Sequence, residues 1–166
     1  MSKKIAVYQG TFDPFTNGHL EVAKDALSIF DEVIILLLVN PVKKPLFSVE
    51  ERKEMILQTI QTLDGVSVDS YQGLLADYMK EKGLTCCVRG IRNERDYAYE
   101  LENHQLSKVF CPDLKTFFLP CDPLWANVSS GAVKAACAYG SLPATWVSSA
   151  VVQNLLQKFP KIKLVK

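Results

Sequence analysis

The segment Gly10-Thr11-Phe12-Asp13-Pro14-Phe15-Thr16-Asn17-Gly18-His19 holds the residues of this chain best suited to anion chemistry. The apolar run Ile5-Ala6-Val7-Tyr8 stands just before it, and after it Leu20, Val22, Ala23, Ala26, Leu27 and Phe30 recur at helical spacing. The pattern predicts a buried strand, a loop, and a helix running from a Thr16 cap to Phe30. Gly18 and His19 then fall in the first helical turn, where free backbone N–H groups and the positive end of the dipole attract phosphate. Gly18 has no side chain to block close approach, and His19 can reach the same anion. The dipole disfavours the imidazolium form of His19 whereas a bound polyphosphate favours it, and either form can donate a hydrogen bond. Taken alone, a Gly-His pair at a helix start is more often structural, and it is the full string around it that argues otherwise.

Two basic clusters follow predicted strands. Asn40-Pro41-Val42-Lys43-Lys44 lies beyond the run Val33 to Val39, and Val88-Arg89-Gly90-Ile91-Arg92 lies beyond a strand near Thr85 to Val88. Parallel strands end on one edge of a sheet, so Lys43, Arg89, Arg92 and His19 are expected to converge there although they are distant in sequence. Arginine grips phosphate through a two-pronged fork, while lysine supplies a mobile point charge. An isolated lysine or arginine is ordinarily a solvated surface charge; it is the shared location at strand ends that argues otherwise.

The elements that must position these residues alternate. The apolar run Val33 to Val39 reads as a central strand covered on both sides, stopped by Asn40-Pro41. Ser48-Val49-Glu50-Glu51 is a capping box ahead of a helix with Met55, Ile56, Thr59, Ile60 and Leu63 on one stripe. Further strands are expected near Val66 to Val68 and Thr116 to Leu119. Helices are expected near Leu74 to Lys82, Arg95 to Val109, Ser129 to Tyr139 and Val147 to Phe159. This predicts an α/β chain with a Rossmann-like doubly wound sheet of about five parallel strands and helices on both faces. At 166 residues, one domain over 1–166 is expected.

Composition narrows the function classes. Lys and Arg number 19 against 18 Asp and Glu, so no broad cationic footprint for nucleic acid or membrane exists and any cationic function is local. The longest apolar run is too short to cross a bilayer and no signal-peptide stretch opens the sequence, so a cytoplasmic location is expected. Cys86, Cys87, Cys111, Cys121 and Cys137 form an odd set without a C-x-x-C pair. They are expected to be reduced, mostly buried small hydrophobes rather than zinc ligands or a disulfide framework.

Thr16-Asn17-Gly18-His19, preceded by Gly10-Thr11-Phe12-Asp13-Pro14, resembles the T/S-x-G-H signature of the nucleotidyltransferase superfamily. There the histidine contacts the nucleotide phosphates and stabilises the transition state, which the resemblance implies for His19. Lys43-Lys44-Pro45-Leu46-Phe47-Ser48-Val49-Glu50-Glu51-Arg52, with Arg89-Gly90-Ile91-Arg92 and Asp96-Tyr97-Ala98-Tyr99-Glu100, resembles the phosphopantetheine adenylyltransferase family in content and order. The resemblance implies that Thr11, Lys43, Leu75 and Arg89 contact 4′-phosphopantetheine, and that Thr11, Phe12, His19, Gly90, Ile91, Arg92 and Glu100 contact ATP. It implies His19, Lys43 and Arg92 as the catalytic set. Trp125-Ala126-Asn127-Val128-Ser129-Ser130-Gly131 is similar to the family's last nucleotide-binding stretch, with Gly131 replacing a third serine. Backbone amides there, with the Ser129 and Ser130 hydroxyls, are expected to hold the distal phosphates.

The resemblance further implies Mg²⁺ carried on the ATP phosphates with no protein cage, feedback inhibition by coenzyme A, and a homohexamer. Gln9 stands where the family usually has Pro; Ala98, Ser107 and Ala135 are further departures, the last two on the acceptor side. Two other readings stay open on sequence. One is a transferase of the same fold acting on nicotinate mononucleotide or glycerol 3-phosphate; the other is a nucleotide-binding module without activity.

Overall fold

Apolar residues at alternate strand positions give the central sheet two faces to bury, and both are covered. The computed structural model describes residues 3–42 and 44–166. Strands β1 (Ile5–Gly10), β2 (Glu32–Leu38), β3 (Val66–Tyr71), β4 (Cys86–Ile91) and β5 (Lys115–Pro120) form a parallel sheet in the order β3-β2-β1-β4-β5. The intervening helices are α1 (Asn17–Leu27), α2 (Val49–Ile60), α3 (Leu75–Lys82) and α4 (Glu94–Phe110). The chain builds outward from β1 to β3, then crosses back to lay β4 on the other side of β1. That reversal leaves a crevice at the carboxyl ends of β1 and β4, where ligands of such sheets bind.

Ala6, Tyr8, Val33, Ile35, Leu37 and Val88 face one side, against Val22, Ala23 and Ala26 of α1 and Ile56 and Ile60 of α2. Val7, Leu36 and Cys87 face the other, against Leu75, Ala76, Tyr78 and Met79 of α3. This is the period-two alternation of a strand, and each fully buried large aliphatic side chain contributes roughly 1.5–3 kcal/mol. A third cluster joins Phe47 and Met55 to Val133 and Cys137 of α5 (Ser130–Ala138) and Val151 and Leu155 of α6 (Ser149–Lys158). It fastens the carboxyl-terminal third of the chain to α2.

The expected architecture and caps agree with the structure, with informative differences. Thr16 and Ser48 cap their helices as expected. Helix α1 stops at Leu27 instead of reaching Phe30, because the Ser28 N–H and hydroxyl both donate to Asp25 O and close the last turn. Strand β4 does not end at Val88: Arg89, Gly90 and Ile91 continue the ladder opposite Phe118, Leu119 and Pro120. Arg89 therefore stands inside the strand, not beyond it.

A parallel pair, β6 (Ser141–Pro143) and β7 (Lys163–Val165), was not expected. Three residues are too few for alternation to register, and all of β7 is exposed. The five cysteines are free, with Cys87, Cys111 and Cys137 buried. Among the described residues no helix is long and apolar enough to cross a membrane. The 17-residue α4 has no buried residue at all.

Candidate active site

A cavity of about 1010 Å³ opens at the carboxyl ends of β1 and β4. Its first wall is the loop between β1 and α1. Phe12 holds a positive φ of 47°, a conformation costing a bulky residue about 1–3 kcal/mol and retained only where the surroundings enforce it. Its ring is buried at 5.2 Å from Tyr8, 5.4 Å from Phe15 and 5.1 Å from His19. Gly10 is required by that packing, since a Cβ there would lie 2.9 Å from the Phe12 ring. Asp13 fixes the other side of the loop. Buried to 3% exposure, it accepts from the N–H groups of Leu46 and Phe47 at 2.9 and 3.0 Å and pairs with Lys134 Nζ at 2.9 Å. Buried Arg52 donates from Nη1 to Thr11 O at 2.6 Å and from Nε to Phe47 O.

His19 closes a reciprocal cap with Thr16. The Thr16 N–H donates to His19 Nδ1 at 3.0 Å, while the His19 N–H donates to Thr16 Oγ1 at 3.3 Å. Nδ1 is thereby an acceptor, so in the neutral ring the proton resides on Nε2, free to donate to a ligand. Burial, and then the positive charge of Arg92, push the His19 pKa down to about 4, so the free protein carries a neutral imidazole at pH 7. The expected suppression of the cation is present, with desolvation rather than the helix dipole as its main cause.

On the second wall, Arg89 is 8% exposed and its Nε lies 3.2 Å from Glu100 Oε2. The angle is not that of a hydrogen bond, and this buried carboxylate oxygen has no hydrogen-bond partner within the protein. Arg89 Nη1 donates to Gln9 O at 3.1 Å. Arg92 is held by Asp96, with Nε to Oδ2 at 2.7 Å and Nη2 to Oδ1 at 3.1 Å. Between the two arginines, a Cβ on Gly90 would stand 2.7 Å from Val22 Cγ2 and 3.2 Å from Cys121 Sγ. Glycine is thus what lets α1 approach β4.

The third wall is the start of α5. Ser129 Oγ accepts from Ala132 N–H at 3.0 Å and Ser130 Oγ donates to Pro14 O at 2.8 Å. The Ser130 hydroxyl expected to meet phosphate is committed as a donor to the first loop, while the Ser129 hydroxyl accepts at the helix cap and keeps its own proton to donate. The donors left at this helix start are the Ser129 hydroxyl and the N–H groups of Ser130 and Gly131, residues that line the cavity.

The structure brings most of the anticipated residues to one cavity. Thr11, Phe12, Leu75 and His19 line it, with Arg89, Gly90, Arg92 and Glu100 on the β4 side and Trp125, Val128, Ser129, Ser130 and Gly131 opposite. Ile91, Ala126 and Asn127 do not. The Ile91 carbonyl is taken by Cys121 N–H at 2.8 Å in the sheet ladder, and Ala126 N–H is taken by Pro123 O within a tight turn. Lys43 lies outside the described residues. Glu100, assigned to ATP by resemblance, stands against Arg89. Asp13, Arg52 and Asp96 were missed as positioning groups. Only Asp96 left a sequence signal, its i, i+4 spacing from Arg92.

Fold and site together define the class: a nucleotidyltransferase sheet with its cavity at the switch point. The cytidylyltransferase-like family model matches residues 7–136. Relatives named phosphopantetheine adenylyltransferase include one from Thermotoga neapolitana, 41% identical over 159 residues, covering 96% of this chain and 99% of the relative. Another, from Clostridium novyi, is 36% identical over 160 residues with the same coverage. A third, from Syntrophus aciditrophicus, is 40% identical over 158 residues, covering 95% of this chain and 96% of its own. The chain belongs to the phosphopantetheine adenylyltransferase family. The crystal structure of a bifunctional NMN adenylyltransferase/ADP ribose pyrophosphatase from Francisella tularensis superposes with a TM-score of 0.69 at 22% identity. It is matched over 95% of this chain but only 50% of that protein, a likeness of fold.

Proposed function

We propose that this chain transfers the adenylyl group of ATP to 4′-phosphopantetheine, giving dephospho-coenzyme A and pyrophosphate, a step of coenzyme A biosynthesis. The observation that carries this is the convergence, on one cavity, of His19, two arginines and the start of α5. The names of the relatives supply the acceptor.

An acceptor phosphate oxygen attacks the α-phosphorus in line while the bond to the β-phosphate breaks, with no covalent enzyme intermediate. The acceptor is already anionic and pyrophosphate leaves readily, so positioning and charge neutralisation suffice. Cys121, the thiol in the cavity, is held neutral by burial and suits no nucleophilic role. Neutral His19 donates from Nε2 to the phosphate charge that grows in the transition state, and Arg92, steadied by Asp96, adds a fixed positive charge. Arg89, with Thr11 and Leu75, takes the acceptor; Lys43 enters the catalytic set by resemblance.

Mg²⁺ supplies charge neutralisation on the triphosphate, bound through ATP oxygens and water. Of the three carboxylates that line the cavity, Asp96 is committed to Arg92, Glu100 faces Arg89 and Asp77 stands singly at the start of α3, a set that fits that mode. The whole chain acts as a single nucleotidyltransferase domain in the cytoplasm, with coenzyme A competing at the acceptor end. A homohexamer is proposed by family resemblance. It is supported by α4, where Leu106 and Val109 are 60% and 73% exposed; light scattering decides it.

Pyrophosphate release from MgATP is expected with 4′-phosphopantetheine and to cease with chelator. Release with nicotinate mononucleotide or glycerol 3-phosphate instead would move the acceptor assignment. Tight ATP binding with no release under any acceptor would leave a binding module. Gly131→Ser provides a finer check. A Cβ there meets only Ser129 Oγ at 3.7 Å, an ordinary contact, so the variant is expected to fold normally. The added hydroxyl is expected to lower the KM for ATP by about fivefold, the worth of one net hydrogen bond. An unchanged KM would mean that the backbone donors already saturate the phosphates.

A further inference from the structure

Tyr8 brings to the cavity a polar group that the protein leaves unused. It is the last buried residue of β1, is 5% exposed and lines the cavity. Its ring packs edge-on to Phe12 at 5.2 Å and lies 6.5 Å from the ring of His19. Among the described residues nothing hydrogen-bonds its hydroxyl; what acts on the phenol is burial, then Cys121, Arg89, Glu100 and Arg92. Nor is the oxygen sealed in, since the one buried side-chain oxygen without a partner belongs to Glu100. A buried tyrosine ordinarily finds a partner for its hydroxyl, and phenylalanine would fill the same apolar site without needing one. This hydroxyl is therefore placed for a partner that arrives from outside.

The neighbours name the partner. His19 offers Nε2 on this side of the cavity and Arg92, steadied by Asp96, its charge, a pair suited to phosphate oxygens. Burial raises the phenol pKa far above any working pH, so the hydroxyl keeps its proton and meets an anion as a donor. Two hydrogen bonds of about 2.8 Å laid through one phosphoryl group bridge the separation between the Tyr8 and His19 rings.

We propose that Tyr8 is a further catalytic residue: its hydroxyl donates to an oxygen of the transferred phosphoryl group beside His19, and the bond strengthens as negative charge gathers there. No proton is transferred. This rests on the reading of the cavity as the seat of adenylyl transfer.

The test compares wild type with Tyr8→Phe, which removes one oxygen and keeps the ring. The kcat with MgATP and 4′-phosphopantetheine is expected to fall on the order of 10²-fold, with the KM for ATP within about fivefold and the melting temperature unchanged. Calorimetric titration separates the contact from the chemistry. AMP, which ends at the α-phosphate, is expected to bind about fivefold more weakly to the variant, the net worth of one hydrogen bond, and adenosine to bind equally to both proteins. A merely structural role would lower the melting temperature and weaken both ligands alike. An unchanged kcat, or a loss of affinity that adenosine shares, would overturn the proposal. Should wild type transfer nothing to any acceptor, the adenylyl-transfer reading fails by itself, and the contrast between AMP and adenosine still decides whether the phenol holds a phosphate.

Discussion

His19→Ala is expected to reduce kcat by a factor on the order of 10² or more while moving the KM for ATP by only a few-fold. The asymmetry follows from where the ring donates. Its Nδ1 is committed to the Thr16 backbone, which leaves Nε2 as the one donor, and in the proposed reaction that donor meets charge that grows during transfer. The fold tolerates the change, since loss of one helix-cap partner costs typically about 1 kcal/mol. Because burial and Arg92 push the His19 pKa down to about 4, the pH profile of kcat/KM is expected to carry only the inflection of the substrate phosphates near 6, the same in wild type and variant, with none added by the imidazole. Steady-state kinetics of wild type and variant from pH 5.5 to 8.5 check both points. An inflection near 6.5 that vanishes in the variant would mean that the imidazole works as a titrating acid.

The second large effect is expected on stability. Asp13→Ala leaves the Leu46 and Phe47 amides without their acceptor and Lys134 without its partner, beside a loop already strained at Phe12. Breaking a buried charge network of this kind costs about 3 kcal/mol, or roughly 10 °C in Tm for a chain of this size. Burial alone would raise the Asp13 pKa, but the Leu46 amide, Lys134 and the Phe47 amide outweigh it and hold the carboxyl below its ordinary value. A depressed carboxyl pKa stabilises the fold above its unfolded value of about 3.9 and loses that contribution as pH falls through the folded value. The stability gap between wild type and variant is therefore expected to be constant from pH 5 upward and to narrow below about pH 4. Denaturant titrations at several pH values read this directly. A gap unchanged at acid pH would assign the loss to packing alone.

What the sequence made legible follows from the physics of each signal. Strands with apolar residues on both faces, such as Ile34 to Leu38, are unmistakable because both periodic sets are filled. Thr16 and Ser48 were readable as caps because a cap is a local property of a few residues. Arg89 was placed beyond its strand because a charged side chain normally ends a buried run; here Glu100 and Gln9 neutralise and bond it, so pairing continues to Ile91. The roles of Asp13 and Arg52 were invisible because the contacts that fix the loop, Asp13 with Leu46, Phe47 and Lys134 and Arg52 with Thr11, span 33 to 121 positions along the chain. The Ser130 hydroxyl was assigned to phosphate by analogy, whereas a tertiary contact to Pro14 O, 116 positions away, engages it as a donor. Type and spacing announce a local interaction, but a long-range one appears only after the sheet has folded.

The cavity draws its walls from Tyr8 to Val22, from Leu38 to Pro41, from Gln72 to Asp77, from Arg89 to Ser107 and from Cys121 to Gly131, five stretches that meet only once the sheet and the α5 region are in place. No single strand-helix unit contains the site, so a nucleotide has little to grip until these stretches have come together. Ligand then adds to stability as RT ln(1 + [L]/Kd), acting on the finished molecule and not on any fragment of it. Binding in this protein is a readout of global folding, and a melting shift on adding ATP reports the whole architecture at once.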